Sequence, residues 1–247
     1  MLFVNSTSFS ATNTSSILAT YPGAVAGNLL IAKMSAVQIG DTPTLTVLTP
    51  TDTNGPWTDV GSPNPVHDAS NAVWVTAVIA YEANCTSGSH PVRYTFPGAT
   101  NFAELVIEEY SGMATSSPLD KLAVTSAIGV TVTTMTTGST ATLSSASEMV
   151  AANVALFAPT GAANAGISDP PTTYTSTHAQ QNTAATIGAE EAFKFVSATT
   201  PVDVQWTWTD TTIRDWVALI ATFQAGAGGT SSAFDEDCRW YTVIQQY

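Results

Sequence analysis

The stretch Val73-Trp74-Val75-Thr76-Ala77-Val78-Ile79-Ala80-Tyr81-Glu82 decides the fold class. Val73, Val75, Ala77, Ile79 and Tyr81 fall on one face, and Trp74, Thr76, Val78 and Ala80 on the other, which is a period of two. Both faces are largely apolar, so the segment predicts a strand covered on both sides. The same reading extends to residues 28–37, 92–96, 102–110, 130–137, 148–157, 189–196, 204–209 and 213–223. Punctuation separates these runs: Tyr21-Pro22-Gly23, Thr53-Asn54-Gly55-Pro56, Gly61-Ser62-Pro63-Asn64-Pro65, Pro97-Gly98 and Ser168-Asp169-Pro170-Pro171. No long stretch has the 3.6-residue period of an amphipathic helix. The expectation is an all-β protein, a two-sheet antiparallel β-sandwich whose core includes Val75, Ile79, Ile107, Val154, Trp206 and Leu219.

Composition agrees. Among 247 residues there are 40 Thr, 23 Ser and 36 Ala. Threonine favours strands and hydrogen-bonds water on an exposed face. Only 10% of residues are charged, against about 25% in an ordinary soluble domain. Six Lys and Arg face nineteen Asp and Glu, a formal net charge of −13. Six scattered cations cannot line a phosphate backbone, and the net field repels a polyanion, so nucleic acid is excluded as a partner. No apolar run reaches the ~18 residues of a membrane span. Met1-Leu2-Phe3-Val4-Asn5-Ser6 lacks the basic and long apolar regions of an export signal, so the expectation is synthesis and use without that route. Cys85 and Cys238 are the only cysteines, which is neither a disulfide framework nor a zinc spacing. Two independent thiols are expected in preference to one bridge.

The chain echoes itself. Gly27-Asn28-Leu29-Leu30-Ile31-Ala32 parallels Ser147-Glu148-Met149-Val150-Ala151-Ala152. Tyr94-Thr95-Phe96 parallels Trp206-Thr207-Trp208, and Leu105-Val106-Ile107 parallels Ala218-Leu219-Ile220. A duplication would give halves over residues 20–120 and 140–225 within one sandwich domain, 1–225. Alternating strands resemble one another in any case, so both readings stand at this point.

The tail differs in character. Ala225-Gly226-Ala227-Gly228-Gly229-Thr230-Ser231-Ser232 is linker composition, followed by Asp235-Glu236-Asp237 and the strand-prone Trp240-Tyr241-Thr242-Val243-Ile244. Residues 226–247 therefore read as a linker and a docking strand, with Trp240, Tyr241, Val243 and Ile244 as partner-contacting residues.

Candidate chemistry is thin. His67, His90 and His178 are the only histidines, and there is no Gly-x-Ser-x-Gly elbow for a serine hydrolase. His67-Asp68 sits in a turn-rich segment and reads as a solvated pair. Glu108-Glu109 and Glu190-Glu191 are adjacent on strands, so each pair points to opposite faces and cannot form the facing carboxylates of a glycosidase. A glutamate beside Tyr110 is expected to be structural. Asp52-Thr53-Asn54-Gly55 opens like a calcium loop, yet Pro63 stands where the closing glutamate belongs, so a turn is the better reading. Trp57, Trp74, Trp206, Trp208 and Trp216 could stack sugars, but core packing accounts for them more simply. No catalytic residue, cofactor or metal ligand is expected.

The ordered motifs Gly27-Asn28-Leu29-Leu30, residues 45–50 leading to Trp57-Thr58, residues 74–83, Tyr94-Thr95-Phe96, Ile107-Glu108-Glu109-Tyr110-Ser111-Gly112 and Pro118-Leu119-Asp120 carry a likeness. Across residues 20–225 the chain resembles a diverse group of jelly-roll-like β-sandwich proteins of tailed-phage virions, with related patterns in bacterial secreted and surface proteins. The resemblance implies a non-enzymatic virion role, as a capsid decoration (cement) protein or a tail- or fibre-associated component. Its partners would be other virion proteins, copies of itself and host-surface glycans, with no membrane insertion. The alternative is an extracellular carbohydrate-binding module or filament subunit, and a polysaccharide-degrading enzyme comes last.

Overall fold

The computed structural model describes residues 1–41, 45–46, 49–61, 65–158, 173–182, 187–207 and 213–227. These residues form antiparallel sheets and no helix. One central sheet runs β1 (Leu2–Ala11), β8 (Phe102–Ser111), β3 (Leu29–Ile39), β6 (Val73–Glu82) and β4 (Thr58–Asp59), with β5 (Val66–Asp68) also on β6. The other runs β12 (Thr175–Asn182), β13 (Ile187–Val196), β11 (Glu148–Phe157), β15 (Arg214–Gln224) and β9 (Leu119–Val130). Two ribbons complete the molecule: β2 (Thr14–Ala24) with β7 (Gly88–Thr100), and β10 (Thr134–Thr136) with β14 (Gln205–Thr207).

The alternation dictates how these pieces stack. In β3, Leu29, Ile31 and Val37 join Val75, Ile79, Ala151 and Leu219 in the core between the central sheets. Leu30, Ala32, Met34 and Ala36 point the other way and pack beneath Ile17, Tyr21, Val92 and Tyr94 of the β2–β7 ribbon. In β11, Val150, Ala152, Val154 and Leu156 likewise pack against Met135 and Trp206 of the β10–β14 ribbon. The expected antiparallel sandwich is present as the central pair of sheets, and each outer face carries a further ribbon. A central strand covered on both faces needs apolar residues at every position, which is why its sequence runs almost unbroken.

The strand pairs nest. β1 pairs with β8, β2 with β7 and β3 with β6; then β9 pairs with β15, β10 with β14 and β11 with β13. The register repeats as well. Lys33 lies opposite Ile79 and Val106, while Asn153 lies opposite Glu191 and Leu219. Residues 2–111 and 119–224 thus trace the same path twice.

All six expected core residues are buried. Four long strands escape the sequence reading: β1, β2, β9 and β12. β1 and β12 are sheet edges, and β1 carries serine, threonine and asparagine at four consecutive positions, Asn5 to Ser8, so its alternation is lost. In β2, Pro22-Gly23 reads as a turn, whereas the structure absorbs it as an irregularity between Tyr21 and Ala24. The run expected over 130–137 is divided between the end of β9 and β10.

Candidate functional site

The central core is not wholly apolar. Lys33 on β3 and Glu104, Glu108 and Tyr110 on β8 project into it from one sheet, and Asn153 and Glu191 from the other. Lys33 Nζ donates to Glu108 Oε1 at 2.8 Å and to the Ala192 carbonyl at 2.9 Å. The Tyr110 hydroxyl donates to Glu108 Oε2 at 2.7 Å, and the Thr177 hydroxyl donates to Oε1. Three donors therefore surround one buried carboxylate, which is the arrangement that lets a charge survive without water. Asn153 Nδ2 donates to the carbonyls of Met34 (3.1 Å) and Val78 (3.0 Å), and the Ser35 hydroxyl donates to Asn153 Oδ1 (3.0 Å).

The neighbouring acids lack that support. Burial, and then the proximity of Glu104, hold the Glu191 carboxyl well above the usual range, with Lys33 opposing. Burial also raises Glu104, opposed by His178, whose Nε2 lies 2.7 Å from Glu104 Oε1. The hydrogen bond to Glu104 raises His178 in turn. A second pair of acids in contact joins Asp68 of β5 to Asp215 of β15. Burial pushes Asp215 up to about 6, whereas hydrogen bonds from Asn71 and Ser70 outweigh burial at Asp68 and lower it.

The adjacent glutamates do point to opposite faces. Glu108 lies between the sheets, while Glu109 accepts from the Tyr21 hydroxyl (2.7 Å), the Val25 amide (2.7 Å) and Asn28 Nδ2 (2.6 Å) in the outer layer. Glu191 faces the central core and its neighbour Glu190 the opposite side of β13. His67 does not pair with Asp68. Its ring stacks on Trp74 at 4.1 Å and its Nε2 meets Asp41 at 3.0 Å, while Asp68 caps the turn at Ser70 and Asn71. Trp57, Trp206 and Trp216 are buried; Trp208 lies outside the described residues. Asp52 Oδ1 accepts the Asn54 amide, a local turn at the place where a calcium loop would begin. Cys85 is buried and forms no disulfide among the described residues, and Cys238 lies outside them.

The surface offers a different kind of feature. β1 forms the end of its sheet, pairing only with β8 among the described residues, and leaves Leu2, Val4 and Phe9 exposed. Beside it, β12 ends the other sheet. A groove of about 470 Å³ lies between these edges, lined by Leu2, Phe3 and Ser6 on one wall and Thr175 and Thr177 on the other. Its floor is Phe193, stacked on Phe3 at 5.0 Å. The described chain finishes nearby: Gly226 N donates to the Gly112 carbonyl at 3.0 Å, and Gly112 lies against Met1. Trp240, Tyr241, Val243 and Ile244 lie outside the described residues.

The candidate site is thus an edge and groove backed by a buried ionic layer, which Thr177 on the groove wall reaches through Glu108. Comparison with family models, with curated proteins and with solved structures finds no match to this chain.

Proposed function

We propose that this chain is a non-enzymatic structural protein of a tailed-phage virion, a capsid decoration protein or a tail- or fibre-associated component. The observation that carries the reading is β1. A ten-residue strand whose second edge is unpaired among the described residues, with Leu2, Val4 and Phe9 exposed, is a template for another strand. Twice-nested pairing also reads as a jelly-roll wind, an architecture common to viral capsid and lectin domains. That parallel concerns architecture, and function rests on the site.

The occupant of the β1 edge is the segment Trp240–Ile244 of a neighbouring copy. Twelve residues, 228–239, are long enough to span up to ~40 Å, and the last described residues lie beside Gly112, which is against Met1. Aromatic anchors set against an apolar edge supply most of the binding energy in such contacts. The carbohydrate-binding alternative draws on the tryptophans, and Trp57, Trp206 and Trp216 are committed to the interior.

Purification of intact virions, followed by immunodetection and gold labelling of the native particle, tests this reading. The chain should co-purify at fixed stoichiometry and label a regular position. Its absence from particles, with recovery in the soluble secreted fraction, would contradict it.

A further inference from the structure

At the far end of β6, away from the central core, three side chains from separate parts of the chain converge. Glu82 ends β6, His90 lies near the start of β7, and Asp52 comes from the loop after Pro50. His90 Nδ1 lies 2.7 Å from Asp52 Oδ2 and 3.4 Å from Glu82 Oε2. The three donor atoms fall within 4.8 Å of one another, and all three side chains are shielded from solvent.

The orientation of the imidazole is fixed by its other nitrogen. Nε2 lies 3.0 Å from the Thr86 carbonyl, and a carbonyl can only accept, so Nε2 carries a proton. Nδ1 of the neutral ring is then a lone pair aimed at two carboxylates, three acceptors converging on one point. A cation placed among them would satisfy all three acceptors at once. A proton on Nδ1 satisfies Asp52 and leaves Glu82 Oε2, buried, without a hydrogen-bond donor. Backbone–carbonyl anchoring of the distal nitrogen is also what orients metal-ligating histidines.

The surroundings hold the cluster in place. A Cβ on Gly55 would overlap the Glu82 carboxylate, so that position accommodates only glycine while Glu82 points inward. Asn54 Nδ2 donates to the Ser89 carbonyl, the Thr86 hydroxyl donates to the Asn54 carbonyl at 3.2 Å, and Thr51 bridges Arg93. Metal–ligand bonds of about 2.0–2.1 Å at tetrahedral angles imply ligand–ligand edges of about 3.3 Å. The Nδ1···Oε2 separation already fits, and the Nδ1···Oδ2 pair needs only a small opening.

We propose that Asp52, Glu82 and His90 form a binding site for a divalent transition metal, with Zn²⁺ the best match to one imidazole and two carboxylates. Calcium prefers an all-oxygen shell, so the nitrogen donor disfavours it. Bound there, the metal ties the 51–56 loop to the β6 and β7 strands, and no side chain of this set reaches the β1 groove. The site is independent of the assembly role.

The test uses the full chain, stripped with chelator and titrated with Zn²⁺, Ca²⁺ and Co²⁺. The expected result is saturable uptake of about one Zn²⁺ per chain, a higher melting temperature with Zn²⁺ but not with Ca²⁺, and visible bands of four-coordinate Co²⁺. Glu82→Gln and Asp52→Asn should each weaken Zn²⁺ binding by roughly tenfold or more. No saturable uptake by the wild-type chain would overturn the proposal. So would uptake unchanged in both variants, an equal response to Ca²⁺, or a thiolate charge-transfer band in the Co²⁺ spectrum.

Discussion

Lys33 on β3 and Asn153 on β11 hold corresponding places in the two central sheets, and each side chain crosses the sandwich to backbone carbonyls of the opposite sheet. Lys33 reaches Ala192, and Asn153 reaches Met34 and Val78. These contacts lie among the buried polar residues of a largely apolar core, so the two sheets meet through directional bonds as well as hydrophobic burial. Glu108 is engaged in this seam and its neighbour Glu109 in the outer layer.

Lys33→Met tests the seam. Removing the ammonium leaves Glu108 as a buried charge, and breaking such a pair costs about 3–5 kcal/mol. The double variant Lys33→Met/Glu108→Gln removes both charges, keeps one acceptor oxygen and offers an amide donor to the other of the Tyr110 and Thr177 hydroxyls, and it should be more stable than Lys33→Met alone. Chemical denaturation measures both. A Lys33→Met variant within about 0.5 kcal/mol of wild type would mean the seam contributes little.

Stability should fall as pH rises from about 5 to 8. Asp215 is raised to about 6, and Glu104, Glu148 and Glu191 are raised above the ordinary carboxylate range by burial. An acid with a raised folded-state pKa binds more protons folded than unfolded, so its contribution is full below the unfolded pKa and is lost on passing the folded one. His178, raised by Glu104, acts in the same sense, being lost as pH rises through its folded pKa. Asp68 and Asp120 are lowered and act oppositely, losing stability only below the usual carboxylate range. Melting temperatures should therefore peak in mild acid. Asp215→Asn should flatten the slope between pH 4 and 6, and a melting temperature that rises steadily to pH 7 would contradict the assignment.

Cys85 should resist alkylation in the folded protein. Its thiol is buried and pushed up to about 11, chiefly by burial and then by Glu82 and Glu109, so little thiolate forms near neutral pH. Mass spectrometry after brief iodoacetamide treatment should find Cys85 unmodified until denaturant is added. Rapid native labelling would show that the β2–β7 layer opens readily.

Truncation after Gly229 separates assembly from folding. The variant should keep its melting temperature and its β-sheet circular dichroism but lose its place in the particle or oligomer. Normal incorporation with a lowered melting temperature would assign the Trp240–Ile244 segment to its own domain instead.

Much of the fold is legible in sequence because central strands covered on both faces leave an unmistakable record. Residues 73–82 and 148–157 are apolar at nearly every position, and Glu108 and Glu109 separate to opposite faces as their adjacency requires. Edge strands leave a weaker record: β1 is rich in serine and threonine and half in water, so no period marks it. The interior seam was legible only as isolated polar residues in apolar runs, Lys33 and Asn153 among them. The Asp52–Glu82–His90 cluster was not legible, because no local spacing links a loop aspartate to residues on β6 and β7, strands of different sheets that only the fold brings together.

The most direct measurement of the assembly account is an image of the native virion at a resolution that traces strands. The account predicts copies of this sandwich at regular positions on the head or tail, each with a strand from a neighbouring copy, Trp240–Ile244, lying along the free edge of β1. Particles without the chain, or copies whose β1 edge is bare while Trp240–Ile244 packs on its own domain, would contradict it.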